Sequence, residues 1–263
     1  MKRTILLAAL ILAAAISLTG CRSHKVAITA HRGFWKSEAV ANAPNSLASL
    51  GEAQANGFWG SEFDVNMTAD GRLVVLHGPM IQTVNAQASP AAALDTLVLE
   101  NGEPVPTLDS YLSLGAKSKC VLVFEIKAHQ TAERSVEVTK ACVEALKAHG
   151  LFDPKRVIFI SFSYDACKWI AANAPKFTNQ YLGGDKSPSQ LHEDGINGLD
   201  YHFSVLQKNP GWIEEAHALG MSVNVWTVND AAIMQEMIEA GVDCITTDEP
   251  LLCREILGKK ERR

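Results

Sequence analysis

Short β-branched apolar runs alternate along this chain with longer stretches whose apolar residues recur every three to four positions. Eight runs read as strands, at 25–31, 60–65, 120–126, 156–162, 178–183, 196–203, 221–227 and 243–248. The spacing between them predicts helices over roughly 45–56, 107–116, 131–149, 163–174, 187–194, 208–219, 229–240 and 249–257. In the 229–240 segment Ile233, Met234, Met237 and Ile238 share one face, with Asn229 placed as N-cap and Gly241 as the stop. Gly150 stops the 131–149 helix in the same way, and Ser46 is placed to cap the first helix. Eight strand–helix units in succession predict an α/β fold, a (β/α)8 TIM barrel. A doubly wound sheet would usually carry a Gly-rich phosphate loop after an early strand, and none is present. One barrel over 25–257 is expected, followed by a charged tail at 258–263.

A ninth apolar run, LVVLH at 73–77, is separated from Asp64 by only eight residues. A parallel crossover needs a dozen or more residues, so this run is predicted to return antiparallel through the Asp70-Gly71 turn. The expected product is an extra hairpin strand after the second barrel strand. Folding about that turn sets residues near 76–78 opposite those near 62–64, with His77 beside Glu62 and Asp64. The stretch that follows, 79–105, is long for a connection but contains Leu94, Leu97, Val98 and Leu99. It is expected to be ordered, as packing or as part of a substrate wall.

Composition changes this picture mainly at the N-terminus. The chain has 263 residues, 47% of them hydrophobic, and a net charge of −5. That is ample for a large core, and with no basic stripe a nucleic-acid partner is not expected. Residues 1–20 differ in kind: Lys2 and Arg3 precede an apolar run from Ile5 to Leu18 that is short for a membrane span and suits a signal peptide. Leu18-Thr19-Gly20-Cys21 resembles a bacterial lipobox. The expectation is a signal peptide over 1–20, lipidation at Cys21, a linker at 21–24, and a lipoprotein of the bacterial cell envelope facing the periplasm or cell surface. The other cysteines, Cys120, Cys142, Cys167, Cys244 and Cys253, are odd in number and lack zinc spacing. Buried free thiols are the expected state.

The chemistry gathers at predicted strand ends. Glu62 and Asp64 lie two apart on a strand and so face one side, where two unpaired carboxylates would repel. Glu125 and Lys127 repeat the spacing on the third strand. Three carboxylates without a nearby cysteine suit a hard cation, Mg²⁺ or Ca²⁺, and ion pairs to Arg32 and Lys127 are the competing arrangement. His31 and Arg32 fall where the first strand ends, the face on which barrels of this class carry their chemistry.

Taken in order, HRG (31–33), ExD (62–64), TxDGxxVVxH (68–77), PTL (106–108), ExK (125–127), VWTVN (225–229) and GxDxIxTDxP (241–250) resemble the glycerophosphodiester phosphodiesterase family, a group of TIM-barrel enzymes. The resemblance covers about residues 25–256. It implies one divalent metal, Mg or Ca, held by Glu62, Asp64 and Glu125, with His31 and His77 as a general acid/base pair. Arg32 and Lys127 would contact the phosphate, and Trp226 would line the pocket near the glycerol. It further implies hydrolysis of a small phosphodiester to sn-glycerol 3-phosphate and an alcohol. The division of acid and base between the histidines stays open, as does the nucleophile, a neighbouring substrate hydroxyl or a water. No protein partner is implied, and the membrane is reached only through the anchor at Cys21.

The sequence departs from that family in two places. The family often reads PENT after HRG, and here the stretch is Ala43-Pro44-Asn45-Ser46. His77-Gly78 stands where the family usually has His-Asp, and is similar to phosphatidylinositol-specific phospholipase C. A phospholipase-C-like activity on phosphoinositides and a phosphate-binding lipoprotein without turnover are therefore the alternatives. Among the remaining residues, Trp35 and Trp59 read as packing, His129 as a surface residue, and His149, His192, His202 and His217 as outside the chemistry.

Overall fold

The computed structural model describes residues 25–260. The strands are β1 (Ala27–Ala30), β2 (Gly60–Met67), β3 (Leu73–Val75), β4 (Met80–Ile81), β5 (Val84–Asn85), β6 (Val121–Ile126), β7 (Val157–Ser161), β8 (Thr178–Tyr181), β9 (Gly198–His202), β10 (Ser222–Trp226) and β11 (Cys244–Thr247). The helices are α1 (Leu47–Ala55), α2 (Leu108–Gly115), α3 (Ala132–Ala148), α4 (Tyr164–Asn173), α5 (Pro188–Glu193), α6 (Phe203–Lys208), α7 (Trp212–Ala218), α8 (Ala231–Ala240) and α9 (Pro250–Lys260). Strands β1, β2, β6, β7, β8, β9, β10 and β11 pair in parallel in that order, and β11 pairs back onto β1. The result is the closed eight-stranded barrel that the alternation predicts, with helices between its strands.

Period-two alternation divides β2 between two environments. Phe63 points outward and stacks on Tyr111 of α2 and against Phe124 of β6, inside the apolar layer between strands and helices. Glu62 and Asp64 therefore point inward. A second apolar layer on the other side of the barrel is built around Leu199, Tyr201, Val223, Val225 and Ile245. The five cysteines among the described residues are all free and buried.

The return strand β3 pairs antiparallel with β2 in the register Val65↔Val75 and Met67↔Leu73. The pairing continues one step further, where Leu76 N–H donates to the Asp64 carbonyl at 2.9 Å. The Asn66 side-chain amide donates to the Leu76 carbonyl. His77 thus follows directly from a segment pinned to the strand that carries Glu62 and Asp64, as the hairpin predicts. The stretch 79–105 is ordered: β4 and β5 form a small hairpin, residues 91–94 form a 3-10 turn, and Ile81, Leu94 and Leu99 pack with Val40 and Val74. Glu103, near its end, accepts the N–H groups of Leu47 and Ala48 and so caps the N-terminus of α1 together with Ser46.

Two expectations about helices need correction. The helix expected over 208–219 begins only at Trp212, as α7, because Asn209-Pro210-Gly211 interrupts the spiral, and a separate short helix, α6, precedes it over Phe203–Lys208, where the pattern predicts none. The N-cap of α8 is Asp230, whose carboxylate accepts from Ala232 and Ile233 N–H. Asn229 is released for another task. Gly241 does end α8, in the left-handed conformation at φ +90°.

Candidate active site

Seven of the eight residues proposed for binding or catalysis line one cavity of about 160 Å³ at the C-terminal end of the barrel: His31, Arg32, Glu62, His77, Glu125, Lys127 and Trp226. The eighth, Asp64, lies just beneath at 1% exposure. Cys21 lies outside the described residues.

The acidic cluster is assembled by strand register. Asp64 and Glu125 are direct neighbours across the β2–β6 pair, and Glu62 is one inward position before Asp64. One oxygen from each of the three carboxylates falls within 4.8 Å of the others. Like charges opposite each other in a sheet repel, so the arrangement needs cations. Lys127 supplies one, with Nζ 3.1 Å from Asp64 Oδ1 and 2.6 Å from Glu125 Oε1. Arg32 supplies another, its Nε 3.6 Å from Asp64 Oδ2. Three carboxylates against two cations leave the cluster short of positive charge. Glu62 Oε1 is buried without a hydrogen-bond partner among the described residues. An oxygen donor set with an orphaned carboxylate oxygen fits a hard divalent cation.

The protonation preferences express the same shortage. Burial, then the Asp64 and Glu125 charges, push Glu62 well above the ordinary carboxylate range. Burial and Asp64 push Glu125 up to about 8 despite Lys127. Burial also opposes ionisation of Asp64, but Lys127, His77, the Asn45 hydrogen bond and Arg32 outweigh it and hold this carboxyl well below its usual value.

The loop after β1 is tightly specified. Arg32 adopts φ +55°, which aims its N–H at Glu62 Oε2 at 2.8 Å. Gly33 follows at φ +77°, and a Cβ there would meet the Ser49 backbone at 2.6 Å. Only glycine fits the third position of HRG. Asn45 clamps Asp64 from both sides: its amide donates to Oδ2 at 2.8 Å and its carbonyl oxygen accepts from the Asp64 N–H at 3.2 Å. The Ala43-Pro44-Asn45-Ser46 stretch thus keeps a site function at Asn45 despite its departure from PENT.

His31 is the residue whose surroundings the sequence reading most underestimated. Its Nδ1 donates to Asp248 Oδ1 at 2.7 Å, and Trp35 Nε1 donates to the same oxygen at 3.0 Å. The Asn229 amide donates to Asp248 Oδ2 at 2.8 Å, while its carbonyl oxygen accepts the Asp248 N–H. Burial works against ionisation of Asp248, but these hydrogen bonds and the His31 charge hold it down at about 2. Asp248 is therefore an ionised acceptor that fixes the imidazole with Nδ1 protonated. Its Nε2 is left on the cavity side, 3.9 Å from Glu62 Oε2. Asp248 and Asn229 both sit in quoted motifs, TDxP and VWTVN, so the signal was present without a role attached. Trp35 packs as expected, against the cluster around Val40 and Val74, and its indole N–H in addition belongs to this support.

His77 stands exposed at the mouth. Partial desolvation of its ring is the largest influence on it; with Arg32, Lys127 and His31 it outweighs the pull of Asp64 and lowers the imidazole to about 4. Trp226 forms the opposite wall, edge-on to Phe162 at 5.6 Å and to His202 at 5.4 Å. His129 does not enter the cavity. Its Nδ1 donates to the Lys127 carbonyl and its Nε2 accepts the Met67 N–H, so it ties the ends of β2 and β6 together from a half-buried position.

A sequence profile of the glycerophosphoryl diester phosphodiesterase family matches residues 31–252. The chain belongs to that family. It is 28% identical to a glycerophosphodiester phosphodiesterase of Caldanaerobacter subterraneus subsp. tengcongensis, over 86% of this chain and 95% of that protein. The crystal structure of a glycerophosphodiester phosphodiesterase from Parabacteroides distasonis superposes with a TM-score of 0.87 at 45% identity, over 90% of this chain and 98% of that one. An Oleispira antarctica phosphodiesterase, solved in complex with the product sn-glycerol-3-phosphate, shares the fold with a TM-score of 0.73 at 24% identity, over 88% and 96% of the two chains. As a member of this family the chain is a glycerophosphodiester phosphodiesterase, and its barrel is that of the family's solved structures.

Proposed function

We propose that this enzyme hydrolyses glycerophosphodiesters to sn-glycerol 3-phosphate and an alcohol, with a divalent cation held by Glu62, Asp64 and Glu125 and with His31 and His77 as the acid/base pair. The observation that carries this reading is the meeting of two histidines from separate elements and two cations, in one cavity, with a cluster of three carboxylates at and just beneath its floor. A divalent cation in this set would neutralise the diester and the charge that develops on it. Arg32 and Lys127 add fixed positive charge at the same point.

The hydrogen-bond pattern supports a division of labour between the histidines. With Nδ1–H donated to Asp248, neutral His31 presents a lone pair at Nε2 and suits the base. His77 is left to protonate the departing alkoxide. In the free site its ring is held neutral, and an anionic diester beside it pulls its affinity for a proton back up. The acid role thus belongs to the loaded site.

The proposal extends to the N-terminus, where residues 1–20 direct export and Cys21 carries the lipid anchor of an envelope protein. Its support is the charged, apolar and LTGC succession of the sequence. Fatty-acid labelling in a bacterial host, lost in Cys21→Ser, is the expected result; equal labelling of both would remove the anchor.

A hydrolysis screen of the purified protein tests the chemistry. Glycerophosphocholine, glycerophosphoethanolamine and glycerophosphoinositol should turn over with Mg²⁺ or Ca²⁺ and stop turning over in EDTA. Exclusive turnover of intact phosphatidylinositol would move the enzyme to the phospholipase-C-like alternative that His77-Gly78 suggests. Activity that persists in EDTA would eliminate the metal.

A further inference from the structure

One wall of the cavity holds a charged-type residue that the chemistry above does not use. Asp200, on β9, lines the cavity at 1% exposure. Its Oδ1 is buried without a hydrogen-bond partner among the described residues. Its neighbours on the same wall are mostly apolar: Ile160, Leu182, Phe162 and Trp226. Trp226 is anchored to the same residue, because its Nε1 donates to the Asp200 carbonyl at 2.9 Å. A buried polar atom without a partner is costly, and in native proteins such atoms are few. One that faces a cavity is suited to a ligand that supplies the missing bond.

We propose that Asp200 is the specificity residue for the glycerol moiety, its unpaired carboxyl oxygen hydrogen-bonding a glycerol hydroxyl in the closed part of the cavity. This rests on the reading of the site as a glycerophosphodiester hydrolase. The placement also orients the substrate. His77 borders both this cavity and a separate open groove lined by Leu76, Met80, Ile81, Val98 and Glu100. Glycerol phosphate occupies the enclosed side, between the cations and Asp200. The alcohol projects past His77 into the groove, where groups of varied size fit. An uncharged polyol suits the enclosed wall on a second ground. Burial pushes Asp200 up to about 8, against the Asn224 hydrogen bond, so near neutrality the carboxyl is both donor and acceptor. A polar site built for a hydroxyl rejects the analogue that lacks it, since its own groups are then left unpaired.

The test compares two ligands and two variants. For the wild-type protein, sn-glycerol 3-phosphate should compete for the site about 10–100-fold better than propyl phosphate, which lacks both hydroxyls. In Asp200→Ala that preference should collapse towards unity, mainly through loss of affinity for sn-glycerol 3-phosphate. Asp200→Asn, nearly isosteric and able to donate and accept, should retain most of the preference. A wild-type protein that does not distinguish the two ligands overturns the proposal without any variant. So does Asp200→Ala or Asp200→Asn with an equal loss of affinity for both ligands, which marks a structural role. Absence of turnover of every glycerophosphodiester by the wild type would instead strike the parent reading, while the binding comparison would still judge Asp200.

Discussion

His31 depends on a residue 217 positions away, and the dependence is directional. Asp248 accepts the Nδ1 proton, so replacing the carboxylate by an amide removes the preference for the tautomer that exposes a lone pair at Nε2. Asp248→Asn is expected to lower kcat by about 10²–10⁴-fold with KM changed little, the size of a lost general base. His31→Ala should lose as much, and the double variant little more, because the two act as one unit. Full activity in Asp248→Asn would show that the ring is held by packing alone. Asp200 makes a separate prediction about stability. Its folded-state pKa, about 8, lies above the ordinary Asp value, so the folded protein binds this proton more tightly than the unfolded chain does. The stabilisation is complete below about pH 4 and is lost as pH rises towards 8. Asp200→Asn should therefore flatten the decline in Tm over that interval, and parallel melting curves for the two proteins would refute this. These two residues also mark where the sequence stopped being readable. The ligand-type residues were legible because carboxylates two apart on a strand must share a face. Asp248, Asn229, Trp35 and Asn45 were not, since their roles arise from pairings across the barrel that no local spacing encodes.

At the scale of elements, the hairpin from β2 to β3 carries the design. Its path was legible because eight residues cannot make a parallel crossover, and its register followed from where the apolar run ends. The outward face of the same strand was decided by alternation, and it offers a stability prediction. Phe63 sits between Glu62 and Asp64, fully buried against Tyr111 and Phe124. Phe63→Ala should cost about 3–5 kcal/mol in denaturant unfolding. Phe63→Leu should cost much less and keep activity. The element boundaries that sequence misplaced both involve competition for a side chain. Pro210 breaks a helical pattern that apolar spacing carried through, and Asp230 caps α8 because Asn229 is engaged by Asp248. The 79–105 stretch shows the limits of composition: its apolar residues announced order, but only the fold shows that Glu103 caps α1 from it. Glu103→Ala should cost about 1 kcal/mol of stability. The measurement is a shift in urea midpoint at unchanged m-value.

For the whole molecule, the uncompensated charge of the acidic cluster predicts that a divalent cation stabilises the fold. A cation that binds the folded protein alone raises stability by RT ln(1 + [L]/Kd), about 2.7 kcal/mol at a hundredfold excess over Kd. Mg²⁺ or Ca²⁺ should therefore raise Tm in a concentration-dependent way, EDTA should reverse it, and Glu62→Gln should blunt it. An unchanged Tm across millimolar additions of both ions would count against the site. The barrel itself was legible from the alternation of strand and helix patterns. Its polar interior was not, because Asp200 and Asn224 look in sequence like interruptions of apolar strands.

The closure of the barrel has a consequence for how the enzyme comes into being. The ribosome delivers His31, Arg32, Glu62, Asp64, His77, Glu125 and Lys127 within the first half of the chain, whereas Trp226, Asn229 and Asp248 arrive near its end. β1, which leads to His31, finds one of its two neighbours only when β11 has been made. A nascent or truncated chain can hold both cavity histidines, every carboxylate of the cluster and both cations and still lack Asp248, which orients the His31 ring. Completion of the polypeptide, rather than acquisition of the reactive residues, is the event that switches the hydrolase on.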